Sequence, residues 1–223
     1  IIENRAKWLE EKVAEATHAI HMRENETLLR LGKAGEYRDK ETGNHVIRMA
    51  KYSRLIAKQL GLDVEDCEMI ELAAPLHDIG KIGIPDQILL KPGRLSLEEF
   101  TILKQHTRIG YEILKDSPSK YLQMGAVIAL GHHEKFNGGG YPQGLRGEDI
   151  PLVARIVAVA DVYDALSSKR CYKPAWPHHE VLTMLHKQSG QHFDPRCVQA
   201  FTSQLQEVHT IQTRFTDEQS NST

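Results

Sequence analysis

The chain has no run of about eighteen consecutive apolar residues, the length a membrane-spanning helix requires, and no charged-then-apolar leader at its start. A helical membrane protein is thereby excluded, and a soluble, cytoplasmic chain is expected. Cysteine is scarce: Cys67, Cys171 and Cys197 are odd in number and lack CxxC spacing, so free reduced thiols are expected in place of disulfides. A cationic excess is missing too. With 28 Lys and Arg against 30 Asp and Glu the formal net charge is -2, which argues against a protein that coats a nucleic-acid polymer. Strand signals are sparse because the β-branched residues sit inside helical periodicities, and the fold expected is all-α. The first residue is Ile1 and not methionine, from which a further, upstream domain is expected.

What is present is enough apolar material, 40% of 223 residues, to bury the core of one domain plus an extension. Residues 1–35 place Ile1, Trp8, Leu9, Val13, Ala16 and Ile20, then Leu28, Leu29 and Leu31, on a narrow heptad-like stripe with no glycine or proline before Gly32. One long helix is predicted there, serving as a solvated linker or pairing with a copy of itself as a homodimer. A catalytic domain is expected over residues 36–207. Its predicted helices run from Thr42 to Leu60, from Val64 to Leu76 straight into His77, and from Leu97 to Ile113 behind a Ser96/Glu99 capping box. Others start at Pro151, His179 and Pro195, and residues 208–223 read as a polar, disordered tail.

The chemistry concentrates in histidines and carboxylates. His77 and Asp78 set an imidazole beside a carboxylate, and on a helix Lys81 would share their face. Glu41 and His45, one turn apart, read as a metal chelate or as a surface pair. His106 falls on the buried face of its helix, as a structural histidine or as a ligand. His132 and His133 close an apolar run, and a shared cation would relieve the cost of desolvating two adjacent imidazoles. Asp161, on an apolar helical face, also needs a nearby cation. The three glycines Gly138 to Gly140 would let backbone approach a ligand closely, and Arg170 with Lys173 suits phosphate or an ordinary solvated turn. Taken together, Glu41, His45, His77, Asp78, His106, His132, His133 and Asp161 exceed a four-ligand structural zinc site. With no thiolates among them they favour iron, manganese or nickel, in a centre of at least two ions that Asp78 would bridge.

These residues lie in recognisable order: His77-Asp78-Ile79-Gly80-Lys81-Ile82-Gly83-Ile84-Pro85-Asp86, Leu103-Lys104-Gln105-His106, His132 through Pro142, and Ala160-Asp161-Val162-Tyr163-Asp164-Ala165-Leu166. Over about residues 36–205 the chain resembles the HD-GYP branch of the HD phosphohydrolases. The resemblance implies an HD-type helical bundle with an extended N-terminal linker helix. It also implies metal-assisted hydrolysis of the bacterial second messenger cyclic di-GMP to pGpG, to GMP, or to both. By the same resemblance His77, Asp78, His106, His132, His133 and Asp161 hold two metals, Glu41 and His45 resemble ligands of a third, and Lys81 assists catalysis. Arg170, Lys173 and Tyr141, with Asp164, would contact substrate. A receiver or sensor domain upstream and a docked diguanylate cyclase (GGDEF) domain are the partners implied. The loop departs from the family pattern at Phe136-Asn137-Gly138-Gly139, where a larger aromatic, then aspartate, glycine and serine are expected; this touches loop rigidity and docking, not the ligands. Two rival readings stand beside this one: an inactive cyclic dinucleotide sensor or interaction module, and an HD phosphohydrolase for another cyclic dinucleotide.

Overall fold

The computed structural model describes residues 2–39, 43–168 and 175–216. Among these residues the chain is helical, without a β-strand, as the scarcity of strand signals predicts. The helices are α1 (Ile2–Glu36), α2 (Gly43–Gln59), α3 (Val64–Ala73), α4 (Asp86–Leu89), α5 (Leu97–Leu103), α6 (His106–Leu114), α7 (Lys120–Gly131), α8 (Leu152–Ser167), α9 (His178–Gln188), α10 (Pro195–Thr202) and α11 (Leu205–Arg214).

The core forms where the apolar faces of α2 and α8 meet. Met49, Tyr52 and Ile56 pack with Ile156, Val157, Ala160 and Tyr163, and α3, α9, α10 and α11 close over them with Ile70, Leu185, Phe201 and Val208. Each fully buried Leu- or Ile-sized side chain contributes about 1.5–3 kcal/mol. Edge-on contacts from Tyr52 to Tyr163 and Phe201, at 5.2 and 5.8 Å between ring centroids, fix their relative placement. Cys67 and Cys197 are buried free thiols, and Cys171 lies outside the described residues.

Four expectations change on contact with the structure. The helix from Val64 stops at Ala73, because Pro75, at the start of the next turn, lacks an N–H; the chain continues as tight 3₁₀ turns over Ala74–Leu76 and Ile79–Gly83. The stretch from Leu97 divides at Gln105 into α5 and α6, and its apolar positions Leu97, Phe100 and Ile113 face solvent. The expected disordered tail contains α11, whose Val208 is buried, with Ile211 packed on the core; residues 217–223 lie outside the described residues. Finally, α1 is not a solvated linker along its whole length. Residues 4–23 are exposed, whereas Leu28, Gly32, Gly35 and Glu36 are buried, Leu28 against Leu76 and Ile79.

Candidate metal centre

The 3₁₀ turns are the reason the site can form. Gly80 sits against the start of α6 so closely that a β-carbon there would lie 1.9 Å from the His106 carbonyl oxygen and 2.4 Å from the Gly110 nitrogen. Only glycine allows that approach, and it brings Asp78 beside His106. Residues three apart in a 3₁₀ turn eclipse one another, so Lys81 stands over Asp78 with its Nζ 2.8 Å from Oδ2.

The imidazoles are aimed by their other nitrogen. The Nδ1 of His77 lies 3.1 Å from the Ala74 carbonyl, that of His106 2.7 Å from Leu103, and that of His132 3.1 Å from both Ile128 and Ala129. Carbonyls accept only, so each Nδ1 carries a proton and each Nε2 is the nitrogen that points inward, where it can offer a lone pair to a cation once it bears no proton. Those Nε2 atoms converge on Asp78: His106 at 3.1 Å, His77 at 3.2 Å and His132 at 3.6 Å. The Nε2 atoms of His77, His106 and His132 and Oδ1 of Asp78 are buried without a hydrogen-bond partner. Such orphaned atoms cost several kcal/mol unless something occupies the space between them, and a divalent cation fits both the donor set and the lone-pair directions.

Two groups of donors meet this description, each with its ligand atoms within 4.8 Å of one another: Asp78 with His106, His132 and His133, and Glu36 with His45 and His77. Asp161 borders the second group, its Oδ1 lying 3.6 Å from His45 Nε2 and 4.0 Å from His77 Nε2. Glu41 falls outside the described residues, and the carboxylate seen beside His45 and His77 is that of Glu36. Asp164 differs from its expected role at the substrate. It is fully buried, and its oxygens are taken by Nδ1 of His45 at 2.8 Å, by Nε and Nη2 of Arg48 at 2.7 and 2.8 Å, and by Ser168. It orients His45 as the carbonyls orient the other imidazoles. Arg170 and Lys173 also fall outside the described residues.

The loop after His133 is organised by Glu134, whose buried carboxylate accepts backbone N–H bonds from Gln143, Gly144 and Leu145 at 2.7–3.1 Å. The fold thus returns Tyr141 over the site, where its ring stacks on His133 at 4.8 Å. Gly140 serves the loop itself. A β-carbon on Gly140 would lie 2.2 Å from the Lys135 nitrogen, so the close approach is to the protein's own backbone and not to a ligand. Sequence reasoning did not single out Glu36, Arg48 or Glu134. Glu36 looks like one more charge on a charged helix, and Arg48 and Glu134 like surface residues; only their burial in the fold distinguishes them.

Electrostatics divide the imidazoles. Burial holds His132 and His133 below the usual range, aided for His133 by the adjacent His132, so both meet a metal as neutral ligands. Burial alone would lower His77 as well, but Asp78, with Asp161 and Glu36 behind it, outweighs that and lifts it to about 10. Asp78, which burial would raise, is held well below the carboxylate range by Lys81 and His77. Below pH 10 the metal-free chain therefore carries a proton on His77 that a metal must displace. Calorimetric titration in two buffers of different ionisation enthalpy should show net proton release at neutral pH, with affinity falling about tenfold per unit of acidification for one displaced proton. Uptake without proton release would contradict this. The same raised pKa stabilises the metal-free fold fully below the unfolded value of about 6.5, an advantage lost as pH rises through about 10.

With the geometry in place, comparison identifies its kin. The HD domain profile matches residues 14–197. The cyclic di-GMP phosphodiesterase response regulator RpfG of Xanthomonas campestris is 51% identical over 210 residues, covering 93% of this chain and 56% of the relative. A cyclic di-GMP phosphodiesterase of Thermotoga maritima is 48% identical over 193 residues, covering 86% of this chain and 52% of the relative. The chain thus spans about half the length of these curated relatives. Among solved structures, a cyclic GMP-AMP specific phosphodiesterase of V. cholerae shares the fold, with a TM-score of 0.66 at 20% identity, over 87% of this chain and 51% of that one. A helical bundle that turns the Nε2 atoms of three buried histidines toward the aspartate of His77-Asp78, together with these matches, places the chain in the HD-domain family.

Proposed function

We propose that this chain is a metal-dependent phosphodiesterase that hydrolyses cyclic di-GMP to the linear dinucleotide pGpG and onward to GMP. The observation that carries the reading is the convergence of His77, His106 and His132 Nε2 atoms on Asp78 with Lys81 at 2.8 Å. The names of its relatives supply the substrate. His106, His132, His133 and Asp78 would hold one cation, and His77, His45 and Asp161 with Asp78 another. Glu41 is the candidate for completing a third position with His45. Iron is favoured, and manganese or nickel suits the same mixed imidazole and carboxylate donors. When bound, the cations supply Lewis acidity and an activated water.

The protein's own groups do the rest. The 5′-phosphate of pGpG requires that water add to phosphorus and that the P–O3′ bond break. Lys81, fixed by Asp78, presents its ammonium to the charge growing on the phosphoryl or the departing O3′ oxygen. Arg170 and Lys173 would clamp the phosphates, and Tyr141, a phenol whose pKa is raised by burial, closes the site beside His133. No helix among the described residues is long and apolar enough to cross a membrane, in keeping with action on a cytoplasmic messenger. An upstream receiver or sensor domain would feed α1, whose exposed Leu9, Val13 and Ile20 offer a seam for a second copy of the chain. A GGDEF domain would dock at the glycine loop.

Chromatography of products from cyclic di-GMP, with cyclic GMP-AMP as comparator, tests the reading. Conversion of cyclic di-GMP through pGpG to GMP is expected. Faster conversion of cyclic GMP-AMP would reassign the substrate, and tight binding without conversion would make the chain a sensor.

A further inference from the structure

We propose that Glu36 is a positioning residue through which helix α1 sets Lys81. The proposal rests on the role given to Lys81 in the hydrolysis above. Glu36 is the last residue of α1 and is buried. Its Oε2 lies 3.3 Å from Lys81 Nζ and its Oε1 3.6 Å from His77 Nε2. The lysine is therefore held between two carboxylates, Asp78 from its own turn and Glu36 from another element. Asp78 moves with Lys81 because both belong to one 3₁₀ turn; Glu36 belongs to α1.

The end of α1 is seated on that same segment at backbone distance. A β-carbon on Gly32 would lie 2.5 Å from Pro75 Cβ and 2.6 Å from the Pro75 carbonyl oxygen, and one on Gly35 3.0 Å from Ile79 Cα. Leu28 packs with Leu76 and Ile79. Just beyond the helix, Arg38 donates to the carbonyls of Lys81, Ile82 and Ile84 at 3.1, 2.8 and 2.9 Å and pairs with Asp86. Residues 74–84, which carry His77, Asp78 and Lys81, are thus gripped from residue 28 to residue 38 of the chain. The first part of the same unbroken helix, residues 4–23, is exposed. A helix rotates as a rod, and a carboxylate about 6 Å from the axis moves about 2 Å in a 20° turn. That displacement would break a 3.3 Å contact to Lys81. Twisting or tilting of α1 would accordingly change the orientation of the lysine while leaving His106 and His132, whose Nδ1 atoms are fixed by carbonyls of α5 and α7, in place.

The experiment compares wild-type chain, Glu36→Gln, Glu36→Asp, Lys81→Ala, the Glu36→Gln/Lys81→Ala double variant and Gly32→Ala, all metal-loaded. It reads steady-state cyclic di-GMP hydrolysis and metal per chain by mass spectrometry. Glu36→Gln is expected to lower kcat about 10–100-fold with KM and metal content unchanged, Glu36→Asp to recover part of the loss, and the double variant to be no slower than Lys81→Ala alone. Gly32→Ala, which leaves the carboxylate in place but displaces α1 from Pro75, is expected to lower kcat at full metal content even if Glu36→Gln does not fold. Loss of one metal equivalent in Glu36→Gln would overturn the proposal by making Glu36 a ligand. Multiplicative losses in the double variant, or wild-type kcat in Glu36→Gln or Gly32→Ala, would overturn it too. Wild-type kcat in Lys81→Ala would instead remove the role of the lysine on which the proposal stands.

Discussion

Replacing Asp78 with alanine is expected to abolish turnover of cyclic di-GMP, a loss of at least about three orders of magnitude or about 4 kcal/mol, and to strip metal in the same step. The geometry leaves no substitute. Asp78 is the one carboxylate within 3.6 Å of the Nε2 atoms of His77, His106 and His132 together among the described residues, and it holds Lys81 at 2.8 Å. Removing it takes the anion from among the imidazoles, the shared carboxylate that would bridge two cations, and the fixed partner from the lysine. His77 also loses the nearest charge that raises its pKa, so the two halves of the centre uncouple. Turnover and metal content measured on one preparation check the result. Activity surviving full loss of metal would separate the carboxylate from the chemistry, and retention of both would show that the centre lies elsewhere.

The second large effect is on stability. Asp164→Ala should destabilise the fold by about 3–5 kcal/mol, because it removes one member of a buried ion pair together with the hydrogen bonds it accepts. For a chain of this size that corresponds to a fall in Tm of about 6–20 °C, at about 2–4 °C per kcal/mol. Arg48 is 2% exposed and directs Nε and Nη2 at the two Asp164 oxygens, while its Nη1 donates to the Phe215 carbonyl at 2.7 Å. The substitution would open a cavity beside the buried guanidinium and remove the acceptor that orients the His45 ring. A loss of about 10–100-fold in affinity for a metal at His45 is expected to accompany it, the usual cost of removing an orienting partner. Calorimetric unfolding of the metal-free chain isolates the first effect. A Tm within 1–2 °C of the wild type would mean that Asp164 is not the counter-charge of Arg48, and an unchanged Tm with a raised KM would restore it to the substrate.

The contrast between Asp78 and Asp164 shows what a sequence can display. His77, Asp78, His106, His132 and His133 are legible as a cluster because motif spacing survives whatever backbone carries it, and the fold brings them together. The backbone itself is less legible. An α-helical face was expected to align Lys81 with Asp78, and a 3₁₀ turn after Pro75 does so instead. Asp164 lies one turn on from Asp161 in the same motif, and the family resemblance grouped it with the substrate contacts; its burial against Arg48 from a different helix is a tertiary fact. Glu36 and Glu134 lay hidden for the same reason. Each is an ordinary acid in a polar stretch until the fold places Lys81 or three backbone amides against it. The all-α fold is open to reading because an amphipathic period runs through α2 and α8 is a long apolar run without strand punctuation, whereas α11 is hidden in a polar tail that Val208 and Ile211 anchor.

The central claim is that the histidine and aspartate cluster is a metal centre that hydrolyses cyclic di-GMP. Its most direct test is a titration of chelator-stripped chain with ferrous iron or manganese under anaerobic conditions, reading bound metal and hydrolysis rate in the same samples. The account predicts no turnover in the stripped protein, and a rate that rises with occupancy and saturates at two or three ions per chain, with proton release on loading. Full occupancy without hydrolysis, or hydrolysis undiminished by stripping, would contradict it.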